Sequence, residues 1–162
     1  MLVIEQLKPR RHDREGFACG EPALDVYLRQ QAAQHHRDGI STTHVLVDNA
    51  DPARILGYYS LSAAQLLLTD LQEVDRKRLP TYPVPAIRMG RLAVVASEQG
   101  RGHGEYLLAH AVVRCLGLRE ELGVRVLLVD VLHEKAGRFY RAYGVREAAA
   151  SLRTLYLPLG GR

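Results

Sequence analysis

The run Arg91-Leu92-Ala93-Val94-Val95-Ala96-Ser97-Glu98-Gln99-Gly100-Arg101-Gly102-His103-Gly104 constrains the fold more than any other stretch of the chain. An apolar, strand-like segment leads into a glycine-rich loop, and the amphipathic stretch Glu105 to Glu121 follows. Strand, tight glycine turn and helix start together make a cradle for an anion. Successive backbone N–H groups point into such a turn, and the helix dipole adds partial positive charge. Glycine at alternate positions lets the backbone take positive φ and approach a ligand closely. The pattern predicts a phosphorylated cofactor at this loop.

At 162 residues the chain reads as one domain, 1–162, long enough to bury a core. Hydrophobic residues at 47% and charged residues at 25% fit a soluble globular protein. No apolar run approaches the ~20 residues that span a bilayer, so no membrane partner is expected. Lys8, Arg10 and Arg11 are followed by no apolar segment of the secretory kind. Cys19 and Cys115 are the only cysteines and have no metal-like spacing, so no metal is expected and a reduced, cytoplasmic protein fits. His35-His36 lacks the further ligands that a metal needs. The net charge of +4 is mildly basic. Its basic residues cluster at Lys8, Arg10, Arg11 and Arg14, at Arg29, His35, His36 and Arg37, and at Arg76, Lys77 and Arg78. These clusters form either a face for an anionic partner or an ordinary solvated surface.

The hydrophobic pattern predicts the order β-α-β-β-β-α-β-α-β, with antiparallel hairpins and one βαβ crossover. Strands are expected at Leu2–Leu7, Thr42–Asp48, Arg54–Ala64, Ile87–Val95, Val124–Leu132 and Leu152–Leu159. Helices are expected from Pro22 to His36, from Glu105 to Glu121 and from Glu134 to Tyr143. Gly39, Gly123 and Gly144 mark the helix ends. Leu71 to Leu79 reads as a short polar connector, either irregular or helical, and Pro80, Pro83 and Pro85 as a stiff extended approach to the next strand. Tyr58 and Tyr59 alternate across a strand, which puts one in the core and leaves the other to line a cleft. Cys19 reads as a small packing residue.

Two motifs now carry a family resemblance. Gln99-Gly100-Arg101-Gly102-His103-Gly104 resembles the Q/R-x-x-G-x-G/A signature of the GCN5-related N-acetyltransferases. Glu134-Lys135-Ala136-Gly137-Arg138-Phe139-Tyr140-Arg141-Ala142-Tyr143-Gly144-Val145 is similar to that family's closing helix. A narrower resemblance, to the acetyltransferase toxins of bacterial toxin–antitoxin pairs, rests on three further segments. These are Phe17 to Leu28, Ile55-Leu56-Gly57-Tyr58-Tyr59-Ser60-Leu61-Ser62 and Tyr82-Pro83-Val84-Pro85-Ala86. The chain departs from the pattern at Val145, where an aromatic is usual, at His133, where an acid is common, and at His103, where an apolar residue is frequent.

The resemblance implies an α/β (α+β) fold with a mixed, mostly antiparallel central sheet flanked by helices. It implies acetyl-CoA as co-substrate, without a metal. Leu92, Ala93 and Val94 would then pair with the pantetheine arm like a missing strand. Gln99, Gly100, Arg101, Gly102, His103, Gly104 and Glu105 would hold the pyrophosphate, through backbone donors and the Arg101 guanidinium. Tyr140 matches the family tyrosine and would protonate the departing thiolate, since a phenol stays protonated at neutral pH. Phe139 beside it reads as packing. Arg91 reads either as a substrate contact or as an ordinary exposed strand residue. No base stands out among Glu98, Glu105, His103 and His133. That suits an α-amine acceptor, whose reference pKa near ~8 leaves a useful neutral fraction, better than a lysine amine at about 10.4. The implied activity is acetylation of the α-amino group of aminoacyl-tRNA. The implied partners are a ribbon-helix-helix antitoxin and a second copy of the chain as a homodimer. An acetyltransferase for a small amine or a protein N-terminus, and a non-catalytic acyl-CoA-binding module, are the alternatives.

Overall fold

The computed structural model describes residues 1–81, 83–132, 134–148 and 151–160, with only the backbone of Ser151 and Leu152. Tyr82 and His133 therefore lie outside the described residues. The strands are β1 (Leu2–Gln6), β2 (Thr42–Asp48), β3 (Gly57–Leu66), β4 (Val84–Val94), β5 (Val126–Asp130), β6 (Arg146–Ala148) and β7 (Ser151–Pro158). The helices are α1 (Pro22–Val26), α2 (Ala32–Arg37), α3 (Glu73–Arg76), α4 (His103–Leu118) and α5 (Glu134–Ala142). One seven-stranded sheet runs in the order β1-β2-β3-β4-β5-β7-β6. Its β4–β5 pair is parallel, and its β1–β2, β2–β3, β5–β7 and β6–β7 pairs are antiparallel. This is the mixed, mostly antiparallel α/β architecture expected.

The chain divides into two compact units. The first comprises Met1–Ser62 and Arg91–Val112. In it β2 is almost entirely buried, as a strand with apolar residues on both faces must be. Tyr58 and Tyr59 are both fully buried, against the expectation that one would line a cleft. Each face of β3 is covered here. The Tyr58 hydroxyl donates to the Leu24 carbonyl at 2.7 Å, and its ring meets Phe17 edge-on. The Tyr59 hydroxyl lies 2.7 Å from His110 Nδ1 on α4, and its ring stacks on His44. His12, wholly buried, accepts the Lys8 N–H at Nδ1 (2.9 Å) and donates from Nε2 to Glu5 (2.7 Å), which sets its tautomer.

The second unit comprises Ala63–Gly90 and Val113–Arg162. Its core gathers Leu66, Leu71, Val84, Ala86, Val126, Leu128, Ala148 and Tyr156. Arg88 holds both carboxylate oxygens of Asp130, at 2.9 and 3.1 Å.

Several boundaries differ from the sequence expectation. The turn closed by the Arg54 N–H on the Asp51 carbonyl delays β3 to Gly57. β4 begins at Val84 because the proline-rich approach is itself extended strand; the Pro85 carbonyl accepts the Arg125 N–H at 2.9 Å. The expected helix from Pro22 to His36 contains a π-helical stretch, Tyr27–Gln31, between α1 and α2. α4 starts at His103, so Gly104 is helical, whereas Gly100 and Gly102 take φ of 81° and 83°. β6 was not expected: three residues are too few to display an alternation.

A Cβ on Gly57 would sit 2.8 Å from the Ala93 carbonyl oxygen and 2.8 Å from Leu107 Cδ1. Gly57→Ala is therefore expected to lose about 1–3 kcal/mol of stability, read as a lower denaturant midpoint at unchanged slope.

Candidate active site

β4 carries the segment expected to bind the cofactor. Its parallel ladder with β5 runs from Ala86↔Val126 to Met89↔Val129, and β4 continues to Val94. Leu92, Ala93 and Val94 thus lie beyond the described ladder, as an added strand-like ligand requires. Ala93 is buried, and Leu92 and Val94 are half-buried. The strand is anchored at its end by the Val95 N–H, which donates to the Leu56 carbonyl at 2.8 Å.

The loop that follows is held open by its own chemistry. Gln99 extends its amide back to donate to the Cys19 carbonyl (2.8 Å) and the Val94 carbonyl (2.9 Å). Its side chain therefore shapes the loop from behind. Positive φ at Gly100 and Gly102 turns the backbone, and the Tyr106 N–H on the Gly102 carbonyl at 3.1 Å closes the first turn of α4. Among the described residues, no backbone partner is found for the N–H groups of Gly100, Arg101, Gly102, His103, Gly104 or Glu105. Unpaired donors at a helix start are an anion site in waiting. They fit a pyrophosphate.

The charged side chains around the loop are arranged differently from the sequence expectation. Arg101 is ion-paired to Glu98 at 2.7 Å, and Arg54 reaches the same carboxylate at 3.7 Å. The Arg101 guanidinium is two-thirds exposed and has to exchange Glu98 for a phosphate before it can serve one. Glu98, flanked by two guanidiniums, is engaged in charge pairing and not presented as a base. Glu105 is exposed in the first turn of α4, and His103 is half-buried at its first position.

Arg91 is neither free nor simply exposed. Its guanidinium carbon lies 3.5 Å from the centre of the Tyr27 ring, a cation–π contact. The Tyr27 hydroxyl meets Ser41 Oγ at 2.6 Å and His35 Nδ1 at 3.0 Å. His36 lies 2.7 Å from the Gln6 amide. Neither histidine belongs to a metal-binding group, and none was found among the described residues. Arg14 and Arg29, from the basic clusters, donate to the carbonyls of Arg29 and Phe17. They stitch the N-terminal loop.

Cys19 packs as expected. Its N–H donates to buried Asp25 at 2.9 Å, and burial with the Asp25 contact pushes its thiol up to about 11. Burial pushes Cys115 up to about 11 as well.

Tyr140 lies in the second unit, on α5. Its ring is buried, with 4% exposure, and packs edge-on against Phe139. Phe139 in turn contacts Tyr143, the packing role expected of it. Burial, reinforced by the Asp130 carboxylate, pushes the Tyr140 phenol above its ordinary pKa. No hydrogen bond of the Tyr140 hydroxyl is found among the described residues. Such a phenol keeps its proton at physiological pH. His133 lies outside the described residues.

A "tRNA-acetylating toxin" of Mycobacterium tuberculosis (strain ATCC 25618 / H37Rv) is 39% identical to the chain over 136 residues, 82% of this chain and 80% of that protein. The chain belongs to this family of N-acetyltransferase toxins, within the GCN5-related fold. The solved structures agree. AtaT complexed with acetyl-methionyl-tRNAfMet superposes at a TM-score of 0.91 with 31% identity, covering 98% of this chain and 95% of AtaT. A tyrosine-to-phenylalanine variant of AtaT, bound to acetyl-CoA and the C-terminus of the antitoxin AtaR, gives 0.82 with 29% identity, over 98% and 93%. No protein-family model matches the chain. No helix among the described residues is long and apolar enough to cross a membrane.

Two outcomes follow for the site. Gln99→Ala removes two hydrogen bonds of about 1 kcal/mol each, so acetyl-CoA affinity by calorimetry is expected to fall up to about tenfold while the fold is retained. Both thiols of the native protein are expected to react with a maleimide at pH 8 far more slowly than in denaturant, because little thiolate is present and both are buried.

Proposed function

We propose that the chain is an acetyl-CoA-dependent N-acetyltransferase that acetylates the α-amino group of aminoacyl-tRNA and so blocks translation, as the toxin of a toxin–antitoxin pair. The observation that carries this reading is the run of unpaired N–H groups from Gly100 to Glu105, at the end of a strand that outruns its ladder, in a chain 39% identical to a tRNA-acetylating toxin.

In this reading 1–162 acts as one acetyltransferase domain. The N–H groups of the loop bind the pyrophosphate, and Leu92, Ala93 and Val94 pair with the pantetheine amides. The amine nitrogen of the aminoacyl group attacks the thioester carbonyl. The C–S bond then breaks, Tyr140 gives its proton to the leaving CoA thiolate, and the proton shed by the attacking nitrogen passes through solvent and restores the phenol. A phenol raised by burial remains a donor throughout the working range. The attacking α-amine needs no strong base, because part of it is already neutral near pH 8. An antitoxin partner is supported by the AtaT complex with AtaR. A ribbon-helix-helix antitoxin and a homodimer complete the reading, the dimer by widening the basic surface available to a tRNA.

The test is transfer of labelled acetyl from acetyl-CoA to a pool of charged tRNAs. Label on the aminoacyl group is expected, with a loss of about 10²–10⁴ in kcat for Tyr140→Phe at unchanged acetyl-CoA affinity. The wild-type rate should show no alkaline fall from Tyr140 ionisation up to pH 10, because its pKa is raised. No label on any charged tRNA, with acetyl-CoA still bound, would sink the reading in favour of small amines or protein N-termini.

A further inference from the structure

The turn after α3 is built against the preference of its sequence. Lys77 has φ −58° and ψ 133°, and Arg78 follows with φ 66°. The Leu79 N–H donates to the Arg76 carbonyl at 3.2 Å. Those angles and that bond define a type II turn, whose third residue is normally glycine because a side chain there crowds the backbone. Elsewhere in the described chain every positive φ belongs to a glycine; Arg78 is the exception. An arginine where glycine fits without strain points to a use for its side chain.

The surroundings say what kind of use. Lys77 and Arg78 are exposed, and no hydrogen bond or ion pair of either side chain is found among the described residues. The neighbouring carboxylate of Asp75 is already matched: it accepts from the Tyr156 hydroxyl at 2.6 Å and from Arg146. Glu73 is the other acid of α3, at its first position and exposed. The connector itself is tied down. The Gln72 N–H donates to the Tyr156 hydroxyl at 2.8 Å, and the Gln72 amide to the Glu147 carbonyl at 3.2 Å. A fixed turn therefore carries two cations at its tip with their heads in solvent.

We propose that Arg78, with Lys77, contacts the phosphate backbone of the tRNA acceptor, and that the strained turn aims these cations outward. This rests on the functional reading above, since it needs a polyanion that extends beyond the reacting amine. The contact is sequence-independent and electrostatic.

The test compares wild type, Arg78→Gly and Arg78→Lys with charged tRNA across a range of salt concentrations. It repeats the comparison with an aminoacylated adenosine that has no RNA body. Arg78→Gly is expected to melt at the same or a higher temperature, because the strain is relieved. Its KM for charged tRNA should rise several-fold, and its log–log salt dependence should be shallower by about one. That loss should be confined to the tRNA substrate, and Arg78→Lys should keep the wild-type salt slope. An unchanged KM and salt slope in Arg78→Gly would overturn the proposal, as would a lower melting temperature, which marks the side chain as structural. Unchanged tRNA kinetics with weakened inhibition by an antitoxin would also overturn it, giving the surface to a protein. If the wild type itself transfers no acetyl to charged tRNA, the functional reading fails before any variant is compared.

Discussion

Backbone donors and acceptors must find partners, and among the described residues a few N–H groups of this fold have none in the backbone. β4 pairs with β5 over Ala86 to Met89 and then runs on to Val94 beyond the described ladder. The loop after it presents six successive N–H groups with no backbone partner among the described residues. A glycine-rich loop left to itself would collapse onto its own carbonyls. Here Gln99 holds the Cys19 and Val94 carbonyls, Glu98 ties Arg54 and Arg101, and Gly57 lets Leu107 pack closely beside the Ala93 carbonyl. The open donors are thus set by side chains around them, each already used for that purpose.

The proton chemistry depends on burial. Tyr140 stays protonated because its ring is out of water, where the phenolate is disfavoured. The same physics makes Cys19 and Cys115 inert: burial raises each thiol and removes the thiolate that would react. One effect therefore keeps the proton on a phenol in one place and on two thiols in others.

Much of this was legible in the sequence, and the misses have physical causes. β2 was predicted at its observed limits because its apolar run is bounded by turn residues. The loop was readable because positive φ is written as glycine, which Gly100 and Gly102 bear out. Tyr58 and Tyr59 misled because alternation says which side of a strand a residue occupies, not whether that side is covered. Gln99 was expected at the cofactor, but its amide reaches Cys19, eighty residues away in sequence, a contact that no local pattern encodes. Arg101 was expected to be available, but its pairing with Glu98 three residues earlier is a matter of rotamer and not of spacing alone. The π-helical stretch at Tyr27–Gln31 carries no sequence marker, and Tyr82 and His133 lie outside the described residues.

Two turns in this chain take positive φ for opposite purposes. At Gly100 and Gly102 the side chain is absent, and in the proposed function the backbone itself is the ligand-binding surface. Its donors are rigid and closely spaced, which matches a compact diphosphate of fixed geometry. At Arg78 the backbone takes the same hand, and a long cation is kept despite it. Such a cation gives reach and charge with little geometric demand, which matches a polyanion whose phosphates are spread over a large surface. A cofactor bound the same way at every turnover rewards precision. A macromolecular substrate that must be found, held and released rewards long-range, salt-screened attraction. Under the two proposals, the use of glycine in one turn and arginine in the other follows that division.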